Sequence, residues 1–197
     1  MNVADGLTGS RIVMAPIFFV LYIWGEAMGL PPSAVAVMLW SLFVLIELSD
    51  MFDGMAARHQ KTVSGFGKLF DPFADVFARL TYFVCFAYTG IMPIWIFLVI
   101  IYREFCQLFL RQLLAEKGVT MGARPGGKTK AVFYMIAGTA SLMLWSLRAL
   151  GWLAAAERGL AVAVFVFYCV AAALAVGSFL DYVIQFRKIS SMPSKSS

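Results

Sequence analysis

Charge is scarce in this chain: Asp, Glu, Lys and Arg make up 14% of its 197 residues, against about 25% in a soluble domain. Cysteine is scarce too. Cys85, Cys106 and Cys169 are odd in number and all sit inside apolar stretches, which argues against a disulfide framework and for three buried packing residues. The single histidine, His59, reads as a solvated loop residue. No long polar segment divides the chain, so one helical domain is expected over residues 1–189, with a Ser/Lys-containing tail, 190–197, expected to be disordered. No internal repeat of charge spacing is visible, which speaks against an inverted-repeat transporter. Arg11 precedes an apolar run as in a signal peptide, but no small-x-small cleavage site follows, so the run reads as a retained first span.

What the chain has in excess is apolar surface. Hydrophobic residues reach 61%, above the about 45–50% of soluble domains, and several runs approach the roughly 20 residues that cross a bilayer. The net charge of +5 fits a positive-inside bias and attraction to anionic lipid. No nucleic-acid motif accompanies it, and no nucleic-acid partner is expected.

Six spans follow, at about residues 12–30, 34–57, 67–88, 94–115, 129–147 and 160–186. The fold expected is an all-α integral membrane protein of six transmembrane helices with a short N-terminal juxtamembrane segment. Lys and Arg concentrate after spans two and four and in the tail: Arg58, Lys61 and Lys68, then Lys117, Arg124, Lys128 and Lys130, then Arg187, Lys188 and Lys195. Both termini are therefore expected to face the cytoplasm. Trp24, Trp95 and Trp152 read as interfacial belt residues.

The informative residues are acids inside spans, where one Asp costs about 2.5–3.5 kcal/mol on insertion scales. Span two ends with Asp50 and Asp53, and span three begins with Asp71 and Asp75. Each pair has the i,i+3 or i,i+4 spacing that places side chains on one helix face. A short connection makes the two helices antiparallel neighbours, with both pairs at the cytoplasmic end. Four carboxylates converging there suit a hard divalent cation such as Mg²⁺. Gly54 and Ala57 leave room on the same face for a ligand. Taken singly, Asp50 and Asp53 could be an interfacial pair matched to Arg58, and Asp71 could be a helix cap; all four together point to a site.

The stretch from Asp50 to Asp75 resembles the signature of the CDP-alcohol phosphotransferase family, D-x2-D-G-x2-A-R-x8-G-x3-D-x3-D, with every fixed position filled. The resemblance implies a homodimer with a cytoplasmic active site. It implies that Asp50, Asp53, Asp71 and Asp75 hold one or two Mg²⁺ or Mn²⁺ ions and that Asp75 is the base for the acceptor hydroxyl. Gly54, Ala57, Arg58 and Gly67 match positions that accommodate the CDP moiety of CDP-diacylglycerol.

Span four carries Arg103, Glu104 and Arg111, and span five opens on Lys128 and Lys130. Two Arg and two Lys near the acids suit a second phosphate, on the acceptor. Arg103 and Glu104 could instead pair with each other inside the membrane. The pattern R-E-x7-R followed by G-K-x-K is most similar to that of phosphatidylglycerophosphate synthases, which implies glycerol 3-phosphate as acceptor. Asn2, Thr8, Arg11 and Pro16 fall at spacings similar to that subfamily's opening segment, placing Thr8 with the CDP-lipid residues. Ala4 and Val76 stand where a Pro and a Lys are common. Phosphatidylinositol-phosphate synthase, also using a phosphorylated acceptor, is the alternative. A divalent-cation transporter is the non-enzymatic one, although the acids cluster at one end and the outer halves of the spans are apolar.

Overall fold

The computed structural model describes the backbone of residues 3–59, 65–116, 125–152 and 157–190, and the side chains of residues 8–49, 70–116, 129–152 and 157–188. Every element among the described residues is helical: α1 (Val3–Trp24), α2 (Pro32–His59), α3 (Gly65–Tyr88), α4 (Ile94–Glu116), α5 (Pro125–Ala149) and α6 (Glu157–Ser190). Five of the expected spans lie within α2 to α6. The first stops short, at Trp24, and the juxtamembrane segment before it is helical and continuous with it. A tight turn closes α1: the Gly29 N–H reaches the Glu26 carbonyl at 2.9 Å and the Leu30 N–H reaches the Gly25 carbonyl at 3.2 Å. Gly29 makes this turn at φ +83°, a conformation that side chains with a Cβ rarely adopt.

The polar loop expected at residues 58–66 is shorter than its composition suggests, because α2 continues to His59 and α3 begins at Gly65. α5 starts at Pro125, before the expected Thr129, with a proline at a first-turn position where its missing N–H has no intrahelical partner to lose. The tail expected to be disordered lies, beyond Ser190, outside the described residues, as does the His59 side chain.

Among the described residues α2, α5 and α6 hold stretches long and apolar enough to cross a bilayer, Pro32–Ser49, Thr129–Ala149 and Glu157–Lys188, and α1 holds a shorter one, Thr8–Trp24. α3 and α4 are diluted by the charges they carry, but Arg79, Arg103 and Glu104 are all buried. The outward face is the apolar one: Val13, Val37, Leu45, Phe109, Val162 and Phe165 are exposed. Charge inside and hydrocarbon outside is the arrangement that a lipid solvent demands. The chain is an all-α integral membrane protein.

α3 is the central helix, in contact with α1, α4 and α5, while α1 also packs on α2 and α6 on α4 and α5. Its Tyr82 ring sits among Phe43, Phe83, Phe86 and Phe18 at centroid distances of 5.2, 4.9, 6.0 and 6.4 Å. α5 approaches this aromatic cluster closely at Gly138, where an added Cβ would lie 3.2 Å from the Phe43 ring and 3.3 Å from Tyr82. Cys85 is buried, as expected, but Cys106 is exposed on the outer face of α4 and Cys169 is half-buried; all three are free.

Polar contacts separate the two ends of the bundle. At one end Tyr22 meets Thr89 at 2.8 Å and Arg148 Nε donates to Glu157 at 2.8 Å. Trp24, Trp95 and Trp152 are exposed at this same end, at the close of α1, the start of α4 and just beyond α5. At the other end lie the start of α1, α3 and α5 and the close of α2, α4 and α6. Thr8, Asp50, Asp53, Asp71, Asp75, Arg111, Lys128 and Lys130 belong to that half, and Arg103 lies near the middle of α4.

Candidate active site

The N-terminal half of α3 presents Asp71 and Asp75 one turn apart. Thr8, fully buried on α1, donates its hydroxyl to Asp71 Oδ1 at 2.7 Å. Asp75, with 28% of its side chain exposed, accepts a two-pronged contact from Arg79, Nη2 to Oδ1 at 2.8 Å and Nη1 to Oδ2 at 3.1 Å. On α2, Glu47 accepts the Tyr82 hydroxyl at 2.9 Å, one helical turn before Asp50.

Asp50, Asp53, Gly54, Ala57 and Arg58 occupy the last turns of α2, Gly67 the first turn of α3 and Lys128 the first turn of α5; their side chains lie outside the described residues. Among the described residues no group of three or more His, Cys, Asp and Glu side chains gathers. The two acids that are described offer oxygen ligands only, the donor type that Mg²⁺ and Mn²⁺ take.

The basic residues divide. Arg103 and Lys130 meet at Glu104, whose Oε1 accepts from Arg103 Nη1 at 2.9 Å, Lys130 Nζ at 2.6 Å and the Tyr134 hydroxyl at 3.1 Å. All four residues are buried. Arg103 is further tied to α6, through Nε to the Ala175 carbonyl at 3.2 Å and Nη2 to Ser178 at 2.9 Å. Arg103 and Glu104 thus do pair, with Lys130 joining them from α5. Arg111, two turns further along α4, is elsewhere. It lines a cleft of about 270 Å³ between α3 and α4, with Pro72, Phe73, Leu108, Phe109 and Gln112. Eight residues of helix advance about 12 Å and rotate about 80°, enough to carry Arg111 from the α6 side of α4 to its α3 side.

Three residues of the cluster escaped the sequence reading. Arg79 follows Asp75 by four residues, and Tyr134 follows Lys130 by four, so helical spacing could have flagged both. Ser178 carried no signal, since a lone serine in an apolar helix usually bonds its own backbone, as Ser178 also does to Ala175 at 3.0 Å.

Residues 1–176 match the family described as CDP-alcohol phosphatidyltransferase. Among relatives, the chain is 39% identical over 195 residues to the CDP-diacylglycerol–glycerol-3-phosphate 3-phosphatidyltransferase of Treponema pallidum, covering 94% of this chain and 89% of that one. It is 32% identical over 152 residues to the protein of the same name in Bacillus subtilis, covering 72% and 77%. A third, from Mycoplasma genitalium, is 31% identical over 157 residues, covering 78% and 66%. The family match spans α1 to α5 and most of α6, and so takes in all the acidic and basic residues of the candidate site. The chain belongs to the CDP-alcohol phosphatidyltransferase family.

Proposed function

We propose that this protein transfers the phosphatidyl group of CDP-diacylglycerol to glycerol 3-phosphate, forming phosphatidylglycerophosphate and CMP. The names borne by the relatives support that choice. The observation that carries it is the charge balance at Glu104. Two buried cations share one carboxylate oxygen. A guanidinium has five N–H groups and an ammonium three; Arg103 uses three and Lys130 one. Two donors on each, and one unit of positive charge, stay open to the phosphate of an acceptor. Choline and ethanolamine, cations with no anionic group, would leave that charge unmet, and serine would bring a single carboxylate whose charge its own ammonium offsets.

The acceptor hydroxyl attacks the phosphorus that carries diacylglycerol. A new P–O bond forms, the bond to the CMP phosphate breaks, and the hydroxyl proton passes to Asp75. Arg79 fixes the plane of the Asp75 carboxylate, which sets the direction in which its lone pairs meet that proton. Thr8 does the same for Asp71. Gly54, Ala57, Arg58 and Gly67 accommodate the CDP group, and Arg111 and Lys128 add positive charge around the acceptor site. Asp50, Asp53, Asp71 and Asp75 would hold one or two Mg²⁺ or Mn²⁺ ions, which neutralise pyrophosphate charge and stabilise the departing phosphate. The active site and both termini face the cytoplasm, in line with the placement of Lys and Arg, and the protein works as a homodimer.

CMP release by the purified protein in lipid nanodiscs tests this, with CDP-diacylglycerol and a panel of glycerol 3-phosphate, inositol phosphate, inositol and serine. Glycerol 3-phosphate should be preferred, and chelation should stop turnover until Mg²⁺ or Mn²⁺ is restored. Preference for inositol phosphate would make the protein a phosphatidylinositol-phosphate synthase. Preference for serine, or activity after chelation, would overturn the acceptor site or the metal requirement respectively. Cation flux without CMP release would make it a transporter.

A further inference from the structure

The acidic and basic halves of the site meet at one residue. Tyr134 is fully buried on α5. Its ring carries two cations: Arg79 Cζ at 5.7 Å from the centroid and Lys130 Nζ at 4.8 Å. Both lie within the range of a cation–π contact. The first of these cations grips Asp75 and the second donates to Glu104. The Tyr134 hydroxyl also donates to Glu104, at 3.1 Å. An unbroken series of contacts therefore runs from Asp75 to Arg103, with one aromatic ring at its centre.

We propose that the Tyr134 ring is a spacer that sets the separation between Asp75 and the Arg103–Lys130 pair, and so selects acceptors by the distance between their hydroxyl and their phosphate.

The role presupposes the acceptor chemistry proposed above. A phosphorylated alcohol must present its hydroxyl at Asp75 while its phosphate rests on Arg103 and Lys130, and a small molecule does both only if the two anchors stand at a fixed distance. Ionic contacts between flexible side chains do not by themselves fix a distance; a flat, buried ring that both cations touch limits how far each can move. Tyr134 is confined: it is fully buried, its hydroxyl is bonded to Glu104, and Phe83 meets its ring edge-on at 5.5 Å and an interplanar angle of 86°. One turn further along α5, Gly138 draws the same helix close against Phe43 and Tyr82. Arg79 and Lys130 are like charges that repel each other, and each is held to a carboxylate of its own, Asp75 and Glu104.

The test compares two acceptors that differ only in length, 3-hydroxypropyl phosphate and 4-hydroxybutyl phosphate, with CMP release measured at saturating CDP-diacylglycerol. One methylene in a fitted site is worth about 10–200-fold, and the wild type should prefer the shorter compound by at least the lower figure. Tyr134→Phe keeps the ring and should hold the preference within about twofold, while Tyr134→Leu removes the ring and should lower it about tenfold or more. Because the ratio is taken on one preparation, loss of folded protein cancels. If Tyr134→Leu does not fold, Tyr134→Met, of similar volume without a flat ring, replaces it. An unchanged ratio in the ringless variant, or a collapsed ratio in Tyr134→Phe, overturns the spacer. A wild type that uses unphosphorylated glycerol as well as glycerol 3-phosphate overturns the acceptor assignment instead, whatever Tyr134 does.

Discussion

Arg79 and Asp75 lie four residues apart on α3 and are joined through both terminal nitrogens of the guanidinium, at 2.8 and 3.1 Å. Such pairs on exposed helices contribute little, since water screens them. Here Arg79 is buried, with 8% of its side chain exposed, so water screens the pair less, and the two-pronged contact favours one orientation of the carboxylate. The base role proposed for Asp75 would benefit from that constraint.

Asp75→Asn should lower CMP release by about 10²–10⁴-fold, the range contributed by a positioned base, in a protein that still folds but melts at a lower temperature, because buried Arg79 loses its charge partner. A variant turning over at the wild-type rate would remove Asp75 from its role.

Arg79→Lys retains a cation but not the planar fork that matches two carboxylate oxygens. Losing one charge-assisted hydrogen bond costs about 1.5–3 kcal/mol. The expected result is a fall in kcat of about tenfold or more, with KM for both substrates nearly constant. A rise in KM for CDP-diacylglycerol with unchanged kcat would place Arg79 in substrate binding instead.

Glu104→Ala leaves Arg103 and Lys130 buried without their shared anion. Removing one partner of a buried ion pair costs about 3–5 kcal/mol, so a marked drop in melting temperature is expected. Anions should partly rescue it: millimolar inorganic phosphate should raise the melting temperature of this variant more than that of the wild type. Equal shifts in both proteins would show that the variant's vacancy takes no anion.

The helices were readable from the sequence because a lipid-facing chain advertises its spans in long apolar runs, and α2 to α6 contain the stretches expected. Helix ends were less readable. α1 stops at Trp24 because a backbone turn around Gly29 intervenes; Gly25, Glu26 and Gly29 mark it in the sequence, but the apolar residues around them let the run read on to Leu30. In the site, Asp71 and Asp75 stood out since acids in an apolar helix are conspicuous. The meeting of Thr8 with Asp71 and of Arg103 with Ser178 depends on contacts between helices distant in sequence, which no helical spacing encodes. Arg103 and Arg111 illustrate the limit. Rotation along α4 puts them on neighbouring faces, yet those faces meet different partners, α6 for one and α3 for the other.

Gly138→Val should destabilise the bundle. The position tolerates no Cβ without displacement of the Phe43 and Tyr82 rings, and overpacking a well-filled core costs about 1–3 kcal/mol. Part of this is offset, because glycine in a helix interior is itself unfavourable by about 1 kcal/mol. Melting in detergent measures the net effect. A variant more stable than the wild type would mean that the aromatic cluster yields at that point.

Lys130 and Arg111 offer the sharpest comparison within the basic set. Lys130 lies in the Glu104 cluster, whereas Arg111 lines the α3–α4 cleft beside Pro72. A phosphate seated on Arg103 and Lys130 loses a charge-assisted hydrogen bond when lysine is replaced by glutamine, a loss of about 1.5–3 kcal/mol. Lys130→Gln should therefore raise KM for glycerol 3-phosphate about tenfold or more and leave KM for CDP-diacylglycerol almost unaltered. Arg111→Gln, further from that seat, should raise acceptor KM by less, through the smaller long-range attraction between separated charges. Raising the salt concentration discriminates the two effects, since screening abolishes the second but hardly touches a buried contact. If Arg111→Gln proves the more damaging for the acceptor and insensitive to salt, the phosphate sits in the α3–α4 cleft and not at Glu104.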